Sequence, residues 1–306
     1  MHNLKTLTSN YLEYCRYQKN LNCKTLKAYT IDLNQFSEFM NSTHDELSRA
    51  SLSNYITLLH KSYKPKSIKR KIASLKAFCS YLEYEEIIDE NPFSKIKVKF
   101  QEPFLLPKTI SINVIQLLFS SAYKLLKKDD VSEYQHNTVL RDIAVLELLF
   151  ATGIRVSELC SLTNKDVDLL EGTVKIYGKG SKERIVQIGN PAVLSALKDY
   201  RDTFEGKLLQ VEYFFINRQQ SRLSEQSVRR MINKYVDLAR VSNHITPHMF
   251  RHSFATLLLE EDVDIRYIQK LLGHSSIVTT QIYTHVASSK QRDILTLKHP
   301  RNKIKV

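Results

Sequence analysis

Apolar residues recur at intervals of three and four along the first part of the chain. This spacing matches the period of an α-helix, about 3.6 residues, so each run predicts a helix with one buried face. Short polar connections separate the runs, and helices joined in this way pack into a small bundle. The four apolar stripes are Leu4, Leu7, Tyr11 and Cys15; Leu26, Tyr29, Leu33, Phe36 and Met40; Leu52, Tyr55, Ile56 and Leu59; and Ile68, Ile72, Leu75, Cys79 and Leu82.

Helical patterns dominate the second half as well, with one exception. The helical stretches are Ile112–Leu126, Val139–Phe150 and Ser224–Ala239. Thr173–Tyr177 and Glu183–Ile188 instead alternate apolar and polar residues, and Gly178–Lys182 joins them. That arrangement predicts a β-hairpin with a glycine-containing turn. The predicted fold class is therefore mainly α: an N-terminal four-helix bundle, followed by an α-rich domain with a small antiparallel β-sheet.

Three prolines mark the junction between the two halves. Pro92, Pro103 and Pro107 fall within sixteen residues, separated by lysine-rich sequence. Proline stops helices and favours extended chain, so this stretch is the best candidate for a linker. We predict an N-terminal domain at 1–95, a linker at 96–108 and a C-terminal domain at 109–306. A chain of 306 residues is long for one hydrophobic core and ordinary for two.

The charge balance points to a polyanionic partner. Lys and Arg number 45 against 32 Asp and Glu, a net charge of +13, and nucleic acid is the commonest partner of such a surface. Between the third and fourth helices, the stretch 61–71 is basic without one acidic residue, and Pro65 opens the next helix, whose N-terminus attracts anions. The segment either contacts DNA phosphates or is a solvated face. Its basic residues are Lys61, Lys64, Lys66, Lys69, Arg70 and Lys71.

The numbers and positions of glycine and cysteine argue against several further classes of protein. There are seven glycines, the first at Gly153, and neither half carries the glycine spacing of a P-loop or dinucleotide fingerprint, which argues against an ATP-driven mechanism. The four cysteines are too scattered for a disulfide framework or a C-x-x-C metal site, so we expect buried thiols in a reducing compartment. No signal peptide or apolar run of membrane-spanning length is evident, which predicts a cytoplasmic protein.

Five of the ten histidines lie between His244 and His285, but their surroundings do not suit a metal. His248 and His252 have the spacing of a zinc-binding helix, yet Met249 stands where the motif needs glutamate, and the adjacent Arg251 repels cations. Thr246-Pro247 is a helix start, and the two histidines and Arg251 share one face near its positive end. This predicts a receptor for an anion such as phosphate. The alternative is a surface helix with solvated charges.

Four further residues accompany this segment, and each taken alone is a surface or packing residue. Arg155 follows a helix break at Gly153, and Lys179 sits between two glycines at the predicted hairpin tip. His274 comes directly after a glycine that suits a helix C-cap, and Tyr283 follows nine residues later. Four of the seven glycines lie within two residues of these candidates.

Together the residues resemble the tyrosine recombinase family, in its Xer-type and phage-integrase branch. Four segments carry the resemblance: ATGIRVSEL, GKGSKER, TPHMFRHSFAT and LLGHSSIVTTQIYTHV. It extends over both domains, because an N-terminal core-binding (SAM-like) bundle and a C-terminal catalytic domain are the plan of that branch. The residues that match the family's catalytic signature, in order, are Arg155, Lys179, His248, Arg251, His274 and Tyr283.

The resemblance implies a separate catalytic role for each matching residue. Tyr283 attacks a scissile phosphate and forms a covalent 3′-phosphotyrosyl link. Arg155 and Arg251 clamp the phosphate oxygens and stabilise the transition state, and His274 donates a further hydrogen bond. No ATP, cofactor or metal is required, because one phosphodiester replaces another.

Two proton transfers remain in this scheme. By the resemblance, His248 takes or positions the tyrosine proton and Lys179 protonates the leaving 5′-oxygen. We also expect Glu158, one helical turn after Arg155, to orient Arg155; a plain surface salt bridge is the alternative.

The resemblance also implies the partners. The expected active unit is a homo-tetramer, or a hetero-tetramer with a related recombinase, on double-stranded DNA with a short inverted-repeat core site. The expected outcome of recombination is integration, excision or resolution of DNA. The segment from Ala287 onward is expected to dock on a neighbouring catalytic domain. A sequence-specific DNA-binding regulator without catalysis, and a metal-dependent nuclease, are the alternatives.

Overall fold

The computed structural model describes residues 4–96, 98, 106–130, 132–178, 183–274, 276, 278–281 and 283. The chain divides into two compact units, Met1–Phe104 and Leu105–Val306. Most of the predicted linker, Lys179 and the segment from Ala287 onward lie outside the described residues. None of the helices in the described part has the length and apolar character needed to cross a membrane.

The first unit contains the four predicted helices. They are α1 (Leu4–Tyr17), α2 (Cys23–Thr43), α3 (Arg49–Ser62) and α4 (Pro65–Tyr84). Local sequence sets their starts: Asn22 caps α2 by accepting from the Thr25 N–H, Ser48 and Ser51 form a capping box on α3, and Pro65 occupies the first turn of α4. The prediction of a four-helix bundle is confirmed.

A charged network lies inside this bundle and corrects one prediction. Asp32 is 1% exposed, and Lys71, itself 2% exposed, donates to it at 2.9 Å and also contacts Gln35. Arg70 pairs with the same carboxylate from its surface side. A buried charge requires a partner, and here the partner is Asp32 rather than DNA. The prediction that Lys71 contacts DNA is therefore wrong, because its ammonium group is enclosed in the core.

The second unit is built around one central helix. Its helices are α5 (Ile112–Leu126), α6 (Glu133–Thr152), α7 (Val156–Ser161), α8 (Pro191–Leu208), α9 (Glu225–Leu238), α10 (Pro247–Glu260), α11 (Ile265–Leu272) and the short α12 (Val278–Gln281). Every residue of α6 from Asp142 to Leu149 is buried, because α5, α8, α9 and α10 all pack against it. The helix α6 is therefore the buried centre of this unit, and the core continues past its C-terminus through Ile154 and Val156.

A three-stranded antiparallel sheet covers one side of this unit. Its strands are β1 (Val167–Asp168), β2 (Thr173–Tyr177) and β3 (Glu183–Gln187), in the order β1-β2-β3. The predicted hairpin is confirmed, and its register pairs Val174 with Val186 and Ile176 with Arg184. β1 was not predicted, because two residues carry no detectable alternation. Among the cysteines, Cys15, Cys79 and Cys160 are buried as expected, whereas Cys23 is exposed.

Candidate active site

The chain reverses sharply where the central helix α6 ends. Gly153 takes the left-handed conformation, with φ of +57°, and caps the helix. A Cβ atom at this position would lie 2.6 Å from Cδ1 of Phe254 and 2.9 Å from Cδ2 of Leu272. Both the backbone angle and the close packing therefore require glycine. The reversal places Arg155 as the N-cap residue of α7, between the core residues Ile154 and Val156.

Glu158 is the centre of a buried ion network around Arg155. Its Oε1 accepts from Nη1 of Arg155 at 2.7 Å, and its Oε2 accepts from the Arg155 backbone N–H at 3.1 Å and from Nη2 of Arg184 at 2.7 Å. Arg184 also donates through Nε to the Leu271 carbonyl at 2.9 Å. Glu158 is 7% exposed, so this is not a surface salt bridge. That Glu158 orients Arg155 for catalysis stays a prediction.

The charge of Glu158 is fixed by the same contacts. Burial alone raises the pKa of its carboxyl, but the hydrogen bonds and charge of Arg184, together with the hydrogen bonds from Arg155, outweigh burial and hold the pKa below its ordinary value. The ionised carboxylate of Glu158 stabilises the fold fully at pH values above the ordinary pKa of a glutamate side chain. This contribution is lost as the pH falls through the lowered pKa of the folded state.

We expect Glu158→Gln to destabilise the second unit by roughly 3 kcal/mol, because it leaves the guanidinium of Arg184 buried without its counter-charge. Chemical unfolding at neutral pH measures the change, and the acid-dependent loss of stability should weaken in the variant. Glu183→Gln is the matched control, since it breaks an exposed pair with Lys175 on the neighbouring strand and should change little. If the two variants were equally stable, Glu158 would not be the counter-charge that the buried Arg184 requires.

Arg251 links three elements of the second unit. It lies on α10, whose predicted start at Thr246 and Pro247 is confirmed. Its side chain is 3% exposed, with Nη1 donating to the Gly153 carbonyl at 2.8 Å and Nη2 to the Leu272 carbonyl at 2.6 Å. Burial, and next the charge of Arg155, lower the pKa of Arg251 to about 10. The guanidinium therefore stays charged at neutral pH and has a fixed orientation.

His274 follows the C-cap of α11. Gly273 adopts φ of +64°, and a Cβ there would lie 3.0 Å from Nη1 of Arg184, so the glycine lets the network around Glu158 approach this turn. Nδ1 of His274 lies 2.9 Å from Oγ1 of Thr280, and its ring stacks on Tyr283 at 6.4 Å between centroids. Burial, and then the arginine charges, lower the pKa of His274 to about 4. The ring is neutral at neutral pH.

Tyr283 is buried among these groups. It is 1% exposed, and its hydroxyl oxygen lies 3.1 Å from Nδ1 of His252. Burial raises the pKa of the phenol, and the charges of Arg251 and Arg155 with a hydrogen bond from Arg251 only partly oppose this. The phenol is therefore protonated at neutral pH and stands beside a fixed guanidinium.

The structure thus assembles most of the predicted residues. One cluster contains four of them: Arg155, Arg251, His274 and Tyr283. Within it, the ring of His274 stacks on Tyr283, and the charges of Arg155 and Arg251 shift the pKa values of their neighbours. His248 is exposed and lines an adjacent cleft of about 550 Å³ with His252. In the described part of the chain, no group of His, Cys, Asp or Glu side chains is arranged to hold a metal ion.

Sequence reasoning missed Arg184, although a signal was present. In the alternation of β3, Arg184 shares a face with Val186, which is buried. An arginine on the inward face of a strand requires a buried acidic partner. Because Glu158 follows Arg155 by one helical turn and also needs such a partner, the two could have been paired. His252 was assigned to the anion-binding face, but its contact with Tyr283 depends on how α10 and the turn after α12 pack.

Known proteins match both units. The phage integrase family matches residues 121–290, which include all six signature positions, and the phage integrase N-terminal SAM-like domain matches residues 9–86. A tyrosine recombinase of Agathobacter rectalis is 56% identical over 302 residues, 98% of either chain. Tyrosine recombinase XerC of Thermodesulfovibrio yellowstonii is 37% identical over 99% of either chain. XerH recombinase bound to palindromic difH substrate in a post-cleavage complex has the same fold, with a TM-score of 0.76 at 23% identity, covering 95% of this chain and 84% of that one.

Proposed function

This chain belongs to the phage integrase family of tyrosine recombinases, and we propose that its active site cuts and rejoins double-stranded DNA through a 3′-phosphotyrosyl intermediate. The protein is a site-specific recombinase. One observation carries the residue assignment: the Tyr283 hydroxyl is buried against Arg251, whose guanidinium is fixed by two backbone carbonyls. The direct test is covalent capture on a nicked suicide substrate, from which the cleaved end diffuses away.

Phosphate binding comes first in this mechanism. Arg251 has five N–H groups, of which the carbonyls of Gly153 and Leu272 take two. The remaining N–H groups of Arg251, with Arg155 and the neutral ring of His274, donate to the non-bridging oxygens of the scissile phosphate. Because these donors are held in place before DNA arrives, they stabilise the additional charge of the transition state without reorganisation. The family signature gives His248, on the wall of the adjacent cleft, the role of taking or positioning the tyrosine proton.

Cleavage then exchanges one phosphodiester for another. The Tyr283 oxygen forms a bond to phosphorus, the bond from phosphorus to the 5′-oxygen breaks, and Lys179 gives that oxygen a proton. Rejoining runs the same steps backwards, with the 5′-hydroxyl of a different strand as the attacking group. The bond energy is conserved throughout, so the reaction needs no nucleotide cofactor.

The DNA partner is a short core site with inverted-repeat symmetry, on which four protomers exchange strands. The palindromic substrate in the XerH complex supports such a site. Four protomers are needed because two sites are recombined and each has two half-sites. A DNA-binding regulator without catalysis does not account for a buried tyrosine hydroxyl next to fixed arginines.

The exposed part of the basic segment 61–71 supplies phosphate contacts in this proposal. We expect the triple replacement of Lys61, Lys64 and Lys66 by alanine to weaken binding equally on specific and random DNA. The slope of log K against log salt should become shallower by about 0.9 for each phosphate that the variant no longer neutralises, because fewer counterions are released. Fluorescence anisotropy titrations over a range of salt concentrations measure this slope.

The matched control removes the same charge from the second unit, at the end away from the proposed active site. Lys124, Lys127 and Lys128 are exposed and precede the N-terminus of α6. α6 has 20 residues, so it holds them about 30 Å from the site at its other end. Their replacement should leave the slope unchanged. If the first triple variant also leaves it unchanged, the segment is a solvated face.

A further inference from the structure

His252 lies against the proposed nucleophile. It is on α10, directly after Arg251 and one turn after His248. Its Nδ1 is 3.1 Å from the Tyr283 hydroxyl oxygen, and the two ring centroids are 5.6 Å apart. Within the described residues, His252 is the histidine that comes within hydrogen-bonding distance of this hydroxyl. The family signature identified above does not include it.

The groups around the hydroxyl favour one direction for this hydrogen bond, from Tyr283 to His252. The Arg251 guanidinium acts on the phenol through its positive charge, and a guanidinium has no acceptor, so Arg251 cannot receive the phenolic proton. That proton must point to another group, and Nδ1 of His252 is placed to accept it. The imidazole is then protonated on Nε2, and the ring borders the open cleft that His248 also lines.

The charge state of the two groups agrees with this direction. Burial, and then the neighbouring His248 and Arg251, lower the pKa of His252 to about 4, so its ring is neutral and able to accept a proton at neutral pH. The phenol keeps its proton because burial raises the pKa of Tyr283. The groups that face the imidazole are His248 and Arg251 from α10, and Tyr283 and His274 from the chain after α11.

We propose that His252 accepts the phenolic proton as Tyr283 attacks the scissile phosphate, which rests on the proposed function above. The O–H bond of Tyr283 breaks, its proton moves to Nδ1 of His252, and its electron pair forms the bond to phosphorus. The leaving 5′-oxygen takes a different proton, from Lys179. When the strands are rejoined, Tyr283 is the leaving group and receives its proton back from the His252 imidazolium.

Bound DNA favours this transfer. The scissile phosphate brings a negative charge next to the ring, and a nearby opposite charge raises the proton affinity of an imidazole. The imidazolium is therefore stabilised at the moment when the phosphate accumulates charge. Arg251 serves both events, because its positive charge lies near the phenol and its guanidinium is also held in place for the phosphate.

A change of nucleophile tests the proposal. Fluorinated tyrosine at position 283 has a more acidic phenol, so it depends less on a base. We expect His252→Ala to slow single-turnover cleavage of a suicide substrate by about 100-fold or more with ordinary tyrosine. With 2,3-difluorotyrosine at position 283, or with free imidazole added to fill the space, the deficit should shrink at least about tenfold.

Two matched variants separate proton transfer from positioning. His252→Asn keeps an acceptor near the Nδ1 position but cannot hold a proton, so it should be slow and should also recover with the fluorinated residue. His248→Ala should show the same deficit with either phenol. DNA affinity and thermal unfolding of each variant are measured alongside, so that misfolded protein is recognised.

Several results would overturn the proposal. A His252→Ala deficit that is equal for both phenols, or a His252→Asn variant as fast as wild type, would make His252 only a positioning residue. Faster cleavage by His252→Ala would mean that the contact restrains Tyr283. Recovery by the fluorinated residue in His248→Ala alone would assign the proton to His248. Failure of the proposed function is distinct from these, because wild-type protein would then form no adduct at Tyr283.

Discussion

Tyr283→Phe should abolish the covalent protein–DNA adduct while the protein stays folded and binds DNA normally. The substitution removes one buried oxygen and leaves the ring, which packs with Ala255, Ile268 and Leu272 in a small apolar cluster. Removing the hydrogen bond to His252 costs roughly 1 kcal/mol, which is too little to unfold the domain. Without the oxygen, no bond to phosphorus can form, so the rate of adduct formation should fall to zero.

The measurement is a denaturing gel of protein incubated with a nicked suicide substrate. Tyr200→Phe is the matched control, because Tyr200 is also fully buried in the second unit and its hydroxyl donates to the Phe214 carbonyl at 2.8 Å. That variant loses this hydrogen bond and the one that the hydroxyl accepts from the Ile216 N–H at 3.3 Å, both outside the apolar cluster around Tyr283, and it should form adduct at the wild-type rate once folded. A gel-stable adduct formed by Tyr283→Phe would show that another residue is the nucleophile.

Secondary structure was predictable here because periodicity is a local property. The stripes at intervals of three and four fall within α1 to α4, and the alternating segments form β2 and β3. Helix ends were also readable: Gly153 and Gly273 stop α6 and α11, and Pro247 opens α10. Each of these signals involves neighbours in the chain, so no knowledge of tertiary packing is needed.

The errors and omissions instead concern pairs that only tertiary packing brings together. Lys71 lies three residues after Ile68 and four before Leu75, so it belongs to the buried stripe of α4, and Asp32 occupies the equivalent place on α2 next to Leu33. Reading the basic segment as one surface overlooked this. Opposite charges on two buried faces predict an internal ion pair. Periodicity could have suggested that pair, although not which helices would meet.

We propose Lys179 as the acid that protonates the leaving 5′-oxygen. The assignment rests on its place between β2 and β3, where two glycines flank it in the sequence, and on the family signature. General acid catalysis contributes about 100- to 10,000-fold, so Lys179→Ala should be slower by a factor in this range on ordinary DNA. Such a decrease alone does not identify the role, because removing a phosphate clamp slows the reaction as well.

A substrate with sulfur in place of the bridging 5′-oxygen separates the two roles. A thiolate leaves without a proton, so Lys179→Ala should recover to within about tenfold of wild type on this substrate. Arg155→Ala and Arg251→Ala should stay slow on both substrates, because they stabilise phosphoryl charge whichever atom leaves. Lys182→Ala, which removes a lysine from the same connection, is the control and should cleave ordinary DNA at a nearly normal rate. If Lys179→Ala is equally slow on both substrates while Lys182→Ala recovers on the thio substrate, the acid is Lys182, and Lys179 binds phosphate.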